Sequence, residues 1–515
     1  MGGEQGEAVA FLSDPASYGG GVERVERIET HVSLVFLAGE RAYKLKRAVR
    51  MPYLDFTTVA RRRAACQAEI ALNRRTAPAI YREVRGLVHR RGGGIAFGEG
   101  EEAIDWVVVM TRFDQALLFD ALAQAGWLDV SLIDRLADHI ARFHAAAERR
   151  PGFGGAAALA AVAEENRQCL AAAEGAGFDR AKIEAAGERT RALLARLAPL
   201  LDRRRDEGKV RRVHGDLHLR NICLFEGEPT LFDCIEFSEA LASIDVLYDL
   251  AFLLMDLEHR GLAPFANRLM NRWLDVFEPA EGGEEPGLAA MPLYLSLRAV
   301  IRAHVTASTA AHAERARRAA VAAEARQYLD LALHMFDPAP PRLVAIGGLS
   351  GSGKTTLAAA LAPEIGVRPG ARVLRSDVLR KSLAGRAPEE RLPAAAYTPE
   401  ASRRVYAALC DRAAAALAAG SSVILDAVSL RPEERAAFSE VARRAAAPFT
   451  GIWLAAPGET MAGRIGARRS DASDATPEVL AAQLAQDPGP LDWPQIEAGA
   501  DAEATLAAAR RILVS

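Results

Sequence analysis

Two short apolar-rich runs stand near the start of the chain, Val32 to Leu37 and Ala42 to Leu45, and Gly39-Glu40 between them reads as a hairpin turn. The period then changes. RRRAACQAEIALNRR at 61–75 repeats its apolar positions at helical spacing, and Val107 to Met110 reads as a further strand. Leu118 to Ala147 and most of 156–205 are alanine-rich and predicted helical; alanine favours helix without demanding a role, so 156–205 is assigned none. A helix predicted to end near Met335 is stopped by DPAPPR at 337–342, whose consecutive prolines favour a stiff extended link. Beyond it, Leu343 to Ile346 has the continuous apolar character of a buried parallel strand, and Leu357 to Leu361 opens another alanine-rich helix. The pattern therefore divides the chain near residue 340, and no internal repeat relates the two parts.

Composition narrows the class. A chain of 515 residues has material for two to four packing units. Its net charge of -3, from 64 Lys+Arg against 67 Asp+Glu, advertises neither nucleic acid nor membrane. Cys66, Cys169, Cys223, Cys234 and Cys410 are scattered without a C-x-x-C pair, which fits reduced thiols and a cytoplasmic compartment. The N-terminal residues lack a basic region followed by an apolar core, and Val246 to Leu257, interrupted by Asp249 and Asp256, is too short to span a bilayer.

Two segments carry phosphate chemistry. GLSGSGKT at 348–355 has the spacing G-x-x-x-x-G-K-[ST] between a predicted strand and a predicted helix. There Gly348, Ser350, Gly351, Ser352 and Gly353 let backbone N–H groups wrap nucleotide phosphates at a helix N-terminus. Lys354 would reach the β/γ-phosphates, Thr355 can ligate Mg²⁺, and Thr356 extends the run. The second segment, HGDLHLRN at 214–221, lies far upstream. Phosphoryl transfer to a hydroxyl requires an aspartate to take the proton, metal ligands to bridge phosphates, and a lysine held by a carboxylate. Asp216 is the candidate base, Asn221 a candidate Mg²⁺ ligand, and Asp233 in LFDCIEF the second.

HGDLHLRN followed by FDCIEF and IDVLYDLAF resembles the aminoglycoside phosphotransferase and choline kinase family over roughly residues 25–335. The resemblance implies a protein-kinase-like fold, with a small lobe over about 25–112 and a helical lobe over about 113–335. It implies that His214 braces the catalytic loop, that Asp249 ties the loop backbone to the following helix, that Lys44 or Lys46 in AYKLK supplies the nucleotide lysine, and that Glu69 is its partner. The lysines, two apart on a strand, share one face. A G-x-G-x-x-G loop is absent; Gly19, Gly20 and Gly21 lie too far upstream, and Thr30 to Ser33 is the turn expected over the phosphates. His139 and His144 are spaced by five, which does not suit a helical metal pair. Arg298 and Arg302, one turn apart, could meet an anionic substrate, but a surface salt-bridge role is the favoured reading.

In the rear part, Asp377 in VLRSDVLRK follows a strand-like run, where it can act on an acceptor hydroxyl. Asp426 ends another apolar strand in VILDAVSL, a place suited to a metal ligand or acceptor contact. Arg464, Arg468 and Arg469 fall on one predicted helical segment and are candidates for a lid over the transferring group. GLSGSGKTT, SDVLRK, ILDA and the arginine stretch resemble the P-loop kinases of the gluconate kinase, zeta-toxin and polynucleotide 5'-kinase group. That implies Asp377 as base and Arg380 as an acceptor-side contact. The expectation is an α+β bilobal protein-kinase-like domain, 1–338, followed by an α/β parallel-sheet P-loop NTPase domain, 339–515. Together they would form a bifunctional ATP- and Mg²⁺-dependent kinase acting on hydroxyl-bearing small molecules; the alternatives are that one half is a regulatory ATP-binding or ATP-hydrolysing module for the other, or that the rear half is a polynucleotide 5'-hydroxyl kinase. Dispersed charge without aromatic-basic interleaving argues against nucleic acid as acceptor.

Overall fold

The computed structural model describes residues 5–514 except 52–53, 101, 174–175, 278–282, 313–314, 468–471 and 500. The chain forms two compact units. One comprises Met1–Leu136, Ala146–Gly154 and Gly208–Asp249; the other comprises Ala137–Ala145, Gly155–Glu207 and Leu250–Ser515.

The first unit is built on six strands: β1 (Val25–Glu29), β2 (Ser33–Ala38), β3 (Arg41–Lys46), β4 (Tyr81–His89), β5 (Ile95–Gly98) and β6 (Asp105–Thr111), in the order β1-β2-β3-β6-β4-β5 with antiparallel neighbours. Alternation along β6 sends Val107 and Val109 to one face, with Phe36, Tyr43, Leu45 and Leu12 of helix α1 (Gly6–Ser13). Val108 goes to the other face, with Cys66 and Ile70 of α2 (Val59–Asn73). Thr58 caps α2 by accepting from Arg61 N, and the stripe it buries is unusually polar: Arg62, Cys66, Glu69, Ile70 and Asn73. The helical stretch predicted over Leu118 to Ala147 is interrupted at Gly126, whose φ of 71° ends α3 (Phe119–Ala125) before α4 (Val130–Ala146). The loop over 213–221 follows β7 (Val210–Arg212) and leads into the hairpin of β8 (Ile222–Phe225) and β9 (Glu228–Leu231); β10 (Ser243–Asp245) pairs back with β7.

The second unit contains α5 (Gly155–Ala172), α6 (Arg180–Asp206), α8 (Ala263–Val276), α9 (Met291–His312) and α10 (Arg315–His334), together with a five-stranded sheet; α7 (Val246–His259) runs into it from the first unit. Strands β11 (Leu343–Gly347), β12 (Arg372–Arg375), β13 (Val423–Asp426), β14 (Phe449–Ala455) and β15 (Gln495–Glu497) are parallel in the order β12-β13-β11-β14-β15. Both sheet faces are covered, as an all-parallel sheet requires. Leu343, Ala345 and Leu425 pack against α13 (Pro399–Ala418) and α14 (Pro432–Arg444); Val344, Ile346 and Ile424 pack against α11 (Lys354–Leu361) and α17 (Ala502–Val514). The remaining helices of this part are α12 (Ser376–Leu383), α15 (Gly458–Gly466) and α16 (Pro477–Leu484). The surface pair predicted for Arg298 and Arg302 is corrected at Arg298. That side chain is buried in α9, with its guanidinium 4.6 Å from the Phe252 ring centre, because α9 is enclosed by neighbouring helices. Among the described residues no helix is long and apolar enough to cross a membrane.

Candidate functional sites

The first site is assembled from β3, α2 and the loop after β7. Lys44 and Lys46 share a face of β3 and both meet Glu69 of α2. Lys44 Nζ donates to Glu69 Oε1 at 2.9 Å and to Asp233 Oδ1 at 2.5 Å, whereas Lys46, 1% exposed, pairs with Glu69 and Glu236. Burial opposes ionisation of these groups, but the two lysines hold Glu69 below the usual carboxylate range. Asp233 and Glu69 in turn raise Lys44 against the same desolvation. Glu236 is pushed up by burial, which Lys46 counters.

Gly215 has φ 83°, and a Cβ there would come within 3.0 Å of Leu241 O, so the turn into Asp216 demands glycine. Asp249 accepts from His214 N at 3.2 Å and Gly215 N at 2.8 Å, which fixes the backbone ahead of Asp216. His214 is fully buried, its Nε2 3.0 Å from Phe232 O, and desolvation lowers its pKa, so it serves as a neutral brace. Asn221 Nδ2 donates at 2.9 Å to both the carboxylate and the carbonyl of Asp216. Asp233 is held at φ 61°, its N–H donating to Tyr81 Oη at 3.1 Å while Cys234 N donates to Asn73 Oδ1 at 2.9 Å. Helix α2 therefore sets two things at once, through Glu69 and, one turn on, Asn73. The turn predicted over the phosphates joins β1 to β2, with Ser33 N donating to Thr30 Oγ1 at 2.9 Å.

The second site lies at the C-terminal ends of β11 and β13. Gly348, Gly351 and Gly353 have φ of 136°, 84° and 100°, and a Cβ on Gly348 or Gly351 would lie 2.5 Å from Leu454 O or Met461 O. Lys354 Nζ donates to Leu349 O at 2.9 Å, folding over the loop, and Ser350 N donates to Gln483 Oε1 of α16 at 2.9 Å. Ser352 is buried within the loop, and Thr356 is exposed on α11. Thr355 Oγ1 donates to Asp426 Oδ2 at 2.7 Å; Arg375 bridges both, 3.4 Å from each. Asp377 opens α12, and burial raises its pKa against the pull of Arg375. Arg380 donates to Ala396 O at 2.7 Å and stacks on Tyr397. Arg464 Nη2 donates to Gly499 O at 2.9 Å and Nη1 lies 3.4 Å from the Gly351 and Ser352 carbonyls, so it backs the loop from α15; Arg468 and Arg469 lie outside the described residues. Gly351→Ala is expected to remove nucleotide binding from this site alone, read as the loss of one Mg·ADP site per chain by titration calorimetry.

Residues 53–285 match the model of the phosphotransferase enzyme family, and residues 343–488 match that of an AAA domain. Uncharacterised proteins of Mycobacterium tuberculosis and Mycobacterium bovis are 30% identical over 480 residues, covering 90% of this chain and 90% of each relative. The chain belongs to their family. It joins a phosphotransferase-family domain to a P-loop kinase-type domain. Among solved structures it is similar to a choline/ethanolamine kinase family protein from Mesorhizobium loti, at 17% identity over 64% of this chain and 99% of that one, with a TM-score of 0.37. A gluconokinase from Sinorhizobium meliloti is 20% identical over 34% of this chain and 93% of that one, with a TM-score of 0.26.

The donor chemistry at both sites fits a hard divalent cation. Asn221 commits its Nδ2 to Asp216, which leaves its Oδ1 as an oxygen donor, and Asp233 adds a carboxylate; Thr355 and Asp426 offer a hydroxyl and a carboxylate. Among the described residues no group of three or more His, Cys, Asp or Glu could hold a metal ion. Magnesium bound through one or two carboxylates plus phosphate oxygens needs no such cage. Sequence reading missed Tyr81, Asn73, Glu236, Arg375 and Asp474. Only Glu236 carried a signal, three residues after Asp233 in the same run. Asp474 accepts from Tyr397 Oη at 2.5 Å, Leu392 N at 3.1 Å and Lys381 Nζ at 3.2 Å.

Proposed function

We propose that the chain is a bifunctional ATP-dependent kinase, with residues 1–338 and 339–515 each transferring the γ-phosphoryl group to a hydroxyl of a small molecule, sugars and amino sugars being the candidate class. The observation that carries this reading is Asp216 held against Asn221 at 2.9 Å, ahead of the hairpin that leads to Asp233, whose carboxylate meets Lys44 at 2.5 Å while Lys44 also meets Glu69 at 2.9 Å. In the front half Asp216 takes the acceptor proton as the acceptor oxygen bonds to the γ-phosphorus and the bond to the β-phosphate oxygen breaks. Lys44 orients the α- and β-phosphates, with Lys46 and Glu69 fixing its height above Asp233. Asn221 and Asp233 would hold magnesium, which would supply charge neutralisation at the phosphates. In the rear half the glycine loop and Lys354 hold the triphosphate, Thr355 and Asp426 form the metal side, Asp377 is the base, and Arg380 and Arg464 order the acceptor side and the loop.

Burial raises Asp377, so its working carboxylate form is lost at a higher pH than for an exposed aspartate, whose pKa is about 3.9. Rear transfer should accordingly fall as pH drops through that raised value. The Lys354-dependent part of the pH–rate profile checks this, and a flat profile down to the ordinary aspartate range removes Asp377 as base. The acceptor itself is found by screening hydroxyl-bearing metabolites for ATP-dependent phosphoryl mass gain with wild type, Asp216→Asn and Lys354→Ala side by side. Loss of every product in both variants would contradict two independent transfers.

A further inference from the structure

Helix α8 falls inside the segment that matches the phosphotransferase enzyme family, yet its polar face closes the edge of the rear sheet. Strand β12 is that edge. Asn271 Oδ1 accepts from Val373 N at 2.8 Å, and the Nδ2 groups of Asn271 and Asn267 donate to Ala371 O at 3.1 and 3.0 Å. Two amide side chains thus supply the hydrogen bonds a neighbouring strand would give, at a place that proteins otherwise blunt or cover. One turn further, Asp275 accepts from Arg372 at 2.7 Å; the same guanidinium, 0% exposed, reaches Glu285 at 3.1 Å and Val373 O at 3.0 Å.

The helix holds a second point beyond α12. Arg272 donates to Asp138 at 2.6 and 2.8 Å and to Glu389 at 2.5 Å. Between Arg372 and Glu389 in sequence lie Arg375, Asp377, Arg380 and Lys381. Residues 267, 271 and 275 recur at helical spacing, with Arg272 adjacent, so one rigid helix pins both ends of the segment that carries the proposed base.

We propose that α8 is a bracket that fixes the β12–α12 segment, making Arg272 and Arg372 positioning residues for Asp377 in the rear reaction. The inference rests on Asp377 as the rear base. A base must sit within hydrogen-bond reach of the acceptor, and a displacement of about 1 Å far from the chemistry can cost about a hundredfold in rate. The segment reaches the nucleotide side through Arg375, 3.4 Å from Thr355 and Asp426, whereas Arg272 holds its other end at Glu389, beyond Asp377 in sequence, and the phosphate loop keeps Arg464 at its own carbonyls. Loss of Arg272 therefore bears on the base before the nucleotide grip.

The test uses the full chain carrying Asp216→Asn, so that front transfer is silent, and follows Lys354-dependent ATP turnover with water as acceptor. Arg272→Gln should lower kcat by about tenfold with KM for ATP unchanged, and amide exchange over residues 376–390 should quicken. Arg372→Lys, which keeps the buried charge, should recover most of the rate lost in Arg372→Gln. Unchanged kcat and exchange in Arg272→Gln, or a rise in KM matching the fall in kcat, overturns the bracket. Asp377→Asn run alongside separates the two failures. Full turnover there overturns the base assignment on which the proposal stands, whereas a dead Asp377→Asn beside a normal Arg272→Gln overturns the bracket alone.

Discussion

Asp216→Asn is expected to cut front-half transfer by about 10²–10⁴-fold while leaving the fold and nucleotide affinity intact, because general-base contributions are of that order. The substitution is isosteric, and an asparagine oxygen can still accept from Asn221 Nδ2, which meets the Asp216 carboxylate at 2.9 Å. The turn is set by other groups, Gly215 and the two bonds to Asp249, so it should not relax. Only the capacity to take a proton is removed. The measurement is the initial rate of product formation for whichever acceptor the screen assigns to this half, alongside the melting temperature. A melting temperature that falls with the rate would mean that Asp216 holds the loop instead of serving the reaction.

Arg372→Met should be the most damaging single change to stability, costing about 3–5 kcal/mol, the range found when one partner of a buried ion pair is removed. Methionine keeps the apolar stem of the side chain but has no guanidinium and donates nothing. Glu285 would keep Arg412, at 2.9 Å, yet Asp275 would lose a partner and the carbonyl of Val373 a donor. A chain of this size does not unfold in one step, so the local value is read from amide exchange in β12 and β13, where protection should drop by about two to four decades. A loss below about 1 kcal/mol would place Arg372 among weakly coupled surface pairs.

Much of this was legible in the sequence, for identifiable reasons. The glycine loop is readable because a phosphate cradle needs small residues at fixed spacing between strand and helix, and Gly348, Gly351 and Gly353 adopt the backbone that only glycine takes easily. The front sheet was only half visible. Apolar-rich runs reveal β2, β3 and β6, but VERIE of the edge strand β1 and YREVRGLVH of β4 are interleaved with charge, and IAFG of β5 is only four residues long, so none of the three stands out as a strand. The choice between Lys44 and Lys46 could not be made from spacing, since both share a face and both are used: one reaches Asp233, the other is buried against Glu236. Asn267, Asn271 and Arg272 look like a solvated helix face, and only tertiary placement turns them into strand mimics and ion-pair partners. Arg298 misled in the same direction, because a lone arginine in a helix says nothing of what encloses it.

The most direct test of the central claim, that nucleotide is gripped at two unlike sites in one chain, needs no acceptor. Titration calorimetry of the full chain with Mg·AMP-PNP should give two sites per molecule, one after Lys354→Ala, one after Asp233→Asn, and none in the double variant. A single site in the wild type, or both single variants deleting the same site, would contradict it.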